Sequence, residues 1–67
     1  MRTKLYNILK GLNNTCIKIG KERSIGVPVL NIEKTQTIDE IVLEIAKAER
    51  ILRAPEYWYL NKNTKRY

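Results

Sequence analysis

Histidine is absent from this 67-residue sequence, and cysteine occurs once, at Cys16. One cysteine cannot form an internal disulfide, and without histidine the chain lacks the commonest transition-metal ligand and the commonest catalytic proton shuttle. No Ser-His or Cys-His pair exists, and no glycine-rich phosphate-binding loop is present. We therefore expect a non-enzymatic protein with no metal site, no cofactor and no small-molecule substrate.

Long apolar runs are also missing from the sequence. None approaches the roughly 18 residues that would span a bilayer, and the N-terminal residues lack the continuous apolar core of a secretory signal. These absences predict a cytoplasmic protein with no membrane contact. Cys16 fits a reducing compartment, where we expect it to be a small buried hydrophobic residue.

The shortness of the chain limits its stability. Residues 1–67 are enough for a single small domain, and one core of this size rarely supplies more than about 3–5 kcal/mol. Small folds usually gain further stability from disulfides, metals or self-association. Since the first two are excluded here, we expect a homo-oligomer.

Two kinds of periodicity follow each other in the N-terminal half. The first apolar residues recur at helical spacing, namely Leu5, Ile8, Leu9 and Leu12. This spacing predicts a short amphipathic helix over residues 2–12, with a stop at 13–15. Alternating apolar residues at 16–19 predict a strand, and the β-rich run at 27–32 predicts a second. The polar segment 20–26, bounded by glycines, would join them as a β-hairpin.

A long helix is predicted from Thr37, which begins a Thr-x-x-Glu capping box with Glu40. It should end near Ala54, because Pro55 cannot continue its hydrogen bonding. Its apolar stripe comprises Ile38, Ile41, Val42, Ile45, Ala48 and Leu52. The stripe is typical of packing on the hairpin, but its spacing also suits a seam between two helices. Glu49 projects into the stripe, so we expect it to pair with Arg53 one turn later.

The C-terminal region is aromatic and then basic. Residues 56–60 form a short aromatic segment that local pattern assigns equally to a helix turn or a third strand. Residues 61–67 are expected to form a flexible basic tail. The predicted fold class is α+β: an N-terminal helix, a β-hairpin, a long amphipathic helix and the aromatic segment, with the helices covering one face of the sheet.

Charge is distributed unevenly along the chain. Counting Lys and Arg against Asp and Glu gives +5 for residues 1–24, −2 for 25–56 and +3 for 57–67. A positive surface would result if the two basic ends meet in the fold. Aromatic rings beside cations are also typical of single-strand binders, although we expect Trp58 in the core. The candidate nucleic-acid-binding residues are Lys18, Lys21, Arg23, Lys62, Lys65, Arg66, Tyr57 and Tyr59.

Two apolar residues of the long helix, Leu43 and Ile51, fall outside the stripe on a charged face. They are candidate protein-interface residues, because a partner or a second subunit would account for them. Our first hypothesis is a small basic binding protein, a nucleic-acid-associated accessory or regulatory factor. The second is a protein-interaction subunit, an assembly adaptor or an inhibitor of a larger complex, without nucleic-acid contact.

Overall fold

The computed structural model describes residues 1–67 and has the α+β class predicted from the sequence. Its elements, in chain order, are helix α1 (Arg2–Arg23), strand β1 (Val27–Pro28), helix α2 (Ile38–Arg53), a 3₁₀ helix (Pro55–Leu60) and strand β2 (Thr64–Lys65). Neither α-helix combines the length and the apolar composition that crossing a bilayer requires.

Helix α1 is much longer than predicted, and the strand expected at residues 16–19 is wrong because those residues lie inside it. Helical spacing does continue through the region, with apolar residues four and three apart at Leu5, Leu9, Leu12, Cys16 and Ile19. The expected stop at 13–15 is also wrong. Thr15 Oγ1 donates to the Gly11 carbonyl oxygen at 3.0 Å, so this polar residue is accommodated on the helix surface.

The end of α1 is set by Ser24. Its backbone adopts the left-handed conformation (φ 55°), and its N–H donates to the carbonyl oxygen of Gly20. The next N–H, of Ile25, donates to the same oxygen at 3.0 Å. These two hydrogen bonds satisfy a carbonyl that the last helical turn leaves without a partner, and the chain turns away into β1.

A two-stranded antiparallel sheet is present, as predicted, but it joins different segments of the chain. Val27 pairs with Lys65 and Pro28 with Thr64, so the partner of β1 comes from residues 61–67. The Val29 N–H continues this alignment by donating to the Asn63 carbonyl oxygen at 3.0 Å. Residues predicted to form a basic tail therefore supply one of the two strands.

The start of α2 confirms the predicted capping box. Thr37 Oγ1 accepts from the Glu40 N–H at 3.2 Å, and Glu40 Oε1 accepts from the Thr37 N–H at 3.1 Å. The helix ends at Arg53, two residues before Pro55 opens the 3₁₀ helix. The aromatic segment is thus a helical turn, one of its two predicted conformations.

The helices α1 and α2 run in the same direction. Leu9 packs against Ile41 and Ala48 of α2, whereas Cys16, further along α1, belongs to a second cluster with Trp58 that includes the end of α2. An α-helix rises 1.5 Å per residue, so the 22 residues of α1 account for the 34 Å long axis of the molecule. Because α1 and α2 run in the same direction, both helices end on the same side of the molecule.

The return segment between the helices is organised by Gln36, a buried polar residue. Its Nε2 donates to the Asn31 carbonyl oxygen at 2.9 Å, and its Oε1 accepts from the Glu33 N–H at 3.1 Å. Its own carbonyl oxygen accepts from Arg2 Nε at 2.8 Å. The amide is thus satisfied by its own loop, and that loop is tied to the start of α1.

Candidate nucleic-acid interface

Because the two helices are parallel, their second halves lie together at one end of the molecule, and that end carries most of the Lys and Arg residues. We define the basic end as residues 13–29 and 46–67, which contain the second halves of both helices, the sheet and the 3₁₀ helix. It carries nine of the thirteen Lys and Arg residues but three of the seven acids, so the other end is neutral overall. Its cations are Lys18, Lys21, Arg23, Lys47, Arg50, Arg53, Lys62, Lys65 and Arg66.

One arginine from each basic segment of the chain, residues 1–24 and 57–67, lies at a groove in this end. Arg23, from the last turn of α1, and Arg66, just after β2, both line an open groove of about 410 Å³. Tyr59, Glu56 and Thr64 are among the other residues of its walls. We call this the arginine groove. It unites residues of α1, the 3₁₀ helix and the segment around β2, which local sequence could not place together.

Trp58 holds the 3₁₀ helix beside the arginine groove. Its ring is buried with Cys16 and Val27, and its indole Nε1 donates to the Ile51 carbonyl oxygen at 2.8 Å. With this residue turned inward, the ring of the next one, Tyr59, is left 78% exposed. The prediction that Trp58 is a core residue is confirmed.

Tyr57 lies on a different surface from Tyr59. It lines a second groove, of about 260 Å³, together with Lys47 and Arg50 of α2. Trp58 contributes to both grooves. The two candidate tyrosines are therefore each beside cations, but they are not brought together into one stacking platform.

Lys18, from the predicted strand 16–19, and Lys21 and Arg23, from the predicted hairpin connection 20–26, are instead on the last turns of α1. At 100° per residue, Lys18 and Lys21 are about 60° apart, while Arg23 is about 140° or more from either of them. Both lysines are exposed on the outer side of α1, opposite the buried Cys16 and Gly20. Of this trio, only Arg23 reaches the arginine groove.

The C-terminal cations are all exposed, but they differ in position. Arg66 lines the arginine groove, whereas Lys62 and Lys65 do not. Lys65 belongs to β2, and its Nζ lies 5.5 Å from the centroid of the Tyr67 ring, within range of a cation–π interaction. Lys62 precedes the strand, so it contributes charge to this end without lining a groove.

The two candidate interface residues of α2 have different environments. Leu43 is 69% exposed, but Ile51 is half-buried and packs against both core clusters. The face of α2 that packs on the core lies closer to Ile51 than the predicted stripe does. Val42, which belongs to that stripe, is therefore 46% exposed. Glu49 is exposed as well, on a shallow groove that Arg53 also lines.

Two groups have a clearly shifted pKa, and neither of them lines the arginine groove. Burial raises the pKa of the Cys16 thiol, partly offset by a backbone hydrogen bond. Hydrogen bonds from the backbone and then the side chain of Thr37 lower the pKa of Glu40. Three or more His, Cys, Asp and Glu side chains never converge as a metal site would require.

Sequence reasoning missed several groove residues. Glu56 and Thr64 line the arginine groove, and Lys47 and Arg50 line the second one. The last two carried a signal, because their place in the final turns of a capped helix was predictable.

Comparisons with protein-family models, curated proteins and solved structures gave no significant match.

Proposed function

We propose that this protein binds nucleic acid at its basic end, with the arginine groove as the principal contact. The observation that carries the proposal is that Arg23 and Arg66, from the two basic segments 1–24 and 57–67, line one groove beside the exposed ring of Tyr59. A small accessory or regulatory factor without catalytic activity is the role that fits such a surface.

The chemistry of the groove suits a sugar-phosphate chain. A guanidinium group can donate two parallel hydrogen bonds to one phosphate, and a tyrosine face can stack on a base. Arg23 and Arg66 take part in none of the side-chain hydrogen bonds within the protein. Arg2, in contrast, is held by Gln36 at the opposite end. The two groove arginines are thus available to an external anion.

A single strand fits better than a duplex. A groove of about 410 Å³ falls in the size range of small-ligand sites, and it is lined by an aromatic ring that a paired, stacked base cannot reach. Glu56, the acid in the groove, would repel a phosphate but can accept a hydrogen bond from a base amino group. We therefore place phosphates on the arginines and an unpaired base near Tyr59 and Glu56.

The test is a titration of labelled single-stranded oligonucleotides of about 12 nucleotides, followed by fluorescence anisotropy over a series of salt concentrations. Replacing Arg23 and Arg66 by Ala should weaken binding strongly, because two phosphate contacts are lost. Each lost contact should also reduce the slope of log K against log salt by about 0.7. Tyr59→Ala should weaken binding with the salt slope unchanged, since stacking releases no counterions.

A matched control is the Lys4→Ala, Lys34→Ala variant, which removes the same charge from exposed residues of the other end. It should retain most of the affinity. Equal losses in the two double variants would mean that net charge alone acts, and would overturn the arginine groove as the site. Absence of binding to single strands and to a duplex at about 50 mM salt would end the nucleic-acid proposal.

A second candidate function is protein interaction through the outer side of α2. It is favoured by the exposure of two consecutive apolar residues of this helix, Val42 and Leu43, away from the arginine groove. An adaptor or inhibitor of a larger complex would use such a surface. Failure of the oligonucleotide titration, together with retained folding, would make this the leading function.

A further inference from the structure

The outer side of α2 has a self-complementary order of residues. Asp39, Ala46 and Arg53 follow one another at intervals of seven, so they drift by only about 20° per step and form a nearly straight row. Val42 and Leu43 flank this row in its first half. All five residues are exposed.

The charges at the ends of this row are opposite, and the residue at its centre is small. Asp39 is in the first turn of α2 and Arg53 in the last, about 21 Å apart along the helix axis. Reversing the direction of the helix about Ala46 exchanges the positions of the acid and the base. A second copy of the same row, laid antiparallel, is therefore complementary in charge at both ends.

We propose that a second copy of this chain docks against the outer side of α2, antiparallel, with a two-fold axis at Ala46. Asp39 of each copy then faces Arg53 of the other, twice in the dimer. The small side chain of Ala46 lets the two helix backbones approach at the axis. Leu43 packs on the aliphatic part of Arg50 from the second copy, which is exposed beside it on the same surface.

The contact is small, so the dimer is weak. The 16-residue helix is about 24 Å long, and one pair of such helices buries less than the roughly 1,200 Å² of a standard stable interface. Exposed ion pairs add little affinity, so the apolar contact of Leu43 supplies most of the attraction while the charges fix the direction. The same two-fold axis sets Val42 opposite Glu49 of the second copy, which weakens the dimer further. We expect dissociation in the range of tens to hundreds of micromolar.

The proposal is independent of nucleic-acid binding, because none of the row residues lines the arginine groove. It also replaces Ile51, one of the two interface residues expected from the sequence, with Val42. Ile51 is occupied in the core, whereas Val42 and Leu43 lie on the two sides of the row.

The test uses two charge reversals, Asp39→Arg and Arg53→Asp, followed by sedimentation equilibrium from about 10 µM to about 1 mM at low salt. Wild type should dimerise with concentration. Each variant alone should be monomeric, because like charges meet at both contacts. An equimolar mixture of the two should recover dimers, because both contacts become opposite in charge again.

Two further variants keep the test decisive. Ala46→Glu places two carboxylates together at the axis and should abolish the dimer without altering either helix terminus, where reversed charges oppose the helix dipole. Lys47→Asp, about 100° from the row on an exposed position, should leave the dimer unchanged. Circular dichroism of each variant reports whether α2 remains folded.

A wild type that stays monomeric at about 1 mM would overturn the proposal. So would dimers of Ala46→Glu equal to those of wild type. If the reversal variants are folded and the mixture associates no more than either variant alone, the antiparallel arrangement is wrong.

Discussion

Gly20 of α1 lies against Val27 of β1 so closely that a methyl group on Gly20 would overlap Cγ2 of Val27. Both residues are buried. The carbonyl oxygen of Ile25 would lie 3.3 Å from the same methyl group. The strand can therefore approach the last turns of the helix only because position 20 has no side chain.

This contact predicts opposite effects for two helical glycines. Gly20→Ala should lower the free energy of unfolding by about 1–3 kcal/mol, because the core is overfilled. Gly11→Ala should raise it by about 0.5–1 kcal/mol, since nothing lies within 4 Å of the added methyl and alanine favours the helix. Urea denaturation midpoints measure both. Shifts of both midpoints in the same direction would contradict the close contact of Gly20 with Val27.

The cap of α2 predicts a loss of stability in Thr37→Ala. This change removes the oxygen that accepts from the Glu40 N–H, and such substitutions cost about 0.5–2 kcal/mol. Thr35→Ala, an exposed residue of the same loop with no role in the cap, is the control and should change little. Equal unfolding midpoints for wild type and Thr37→Ala would contradict this assignment.

Glu40 predicts how the same cap responds to pH. Its pKa is lowered in the folded state, first by the Thr37 backbone N–H, so folding favours the carboxylate. This contribution is present above the unfolded pKa of about 4.3 and is lost as pH falls through the lower folded value. The stability difference between wild type and Glu40→Gln should therefore decrease below about pH 4. A difference that grows in acid would show the opposite sign.

The indole of Trp58 predicts a cost for Trp58→Phe beyond the smaller ring. Phenylalanine cannot donate to the Ile51 carbonyl oxygen, which keeps only the longer hydrogen bond from the Ala54 N–H, and the loss of one such hydrogen bond costs about 0.5–1.5 kcal/mol. Tyr59→Phe is the matched control, because its ring is exposed. Thermal unfolding of the two variants should separate them clearly, with Tyr59→Phe close to wild type.

Cys16 predicts a slow reaction with thiol reagents in the native protein. Its side chain is fully buried, and burial raises the pKa of the thiol, so the reactive thiolate is scarce at neutral pH. Labelling at about pH 8 should be far slower in buffer than in denaturing urea. Rapid and complete labelling of the folded protein would contradict the burial of this residue.

The predictable parts of the fold are those encoded within a few residues. The capping box of Thr37 and Glu40 defined α2 correctly, because its reciprocal hydrogen bonds span only three residues. The strand predicted at residues 16–19 is wrong, since an alternating pattern over only four residues fits a strand and a helix equally well. The longer spacing from Leu5 to Ile19 was the signal that would have corrected the assignment.

The candidate site depended on contacts that no local pattern contains. The cations and tyrosines were identified from composition, yet their grouping follows from the pairing of β1 with β2 and from the anchoring of Trp58 on Ile51. These contacts brought Arg23 to Arg66 and separated Tyr57 from Tyr59. The side of α2 that faces the core was likewise decided by packing, which turned Val42 outward and Ile51 inward.

The pairing of Val27 with Lys65 also determines what a proteolytic cut near the C-terminal strand would remove. A chain cleaved between Asn61 and Asn63 would keep α1, α2 and the 3₁₀ helix, but β1 would lose its partner. The same cut would remove Arg66, so the protein would lose its sheet and the second arginine of the groove in one step.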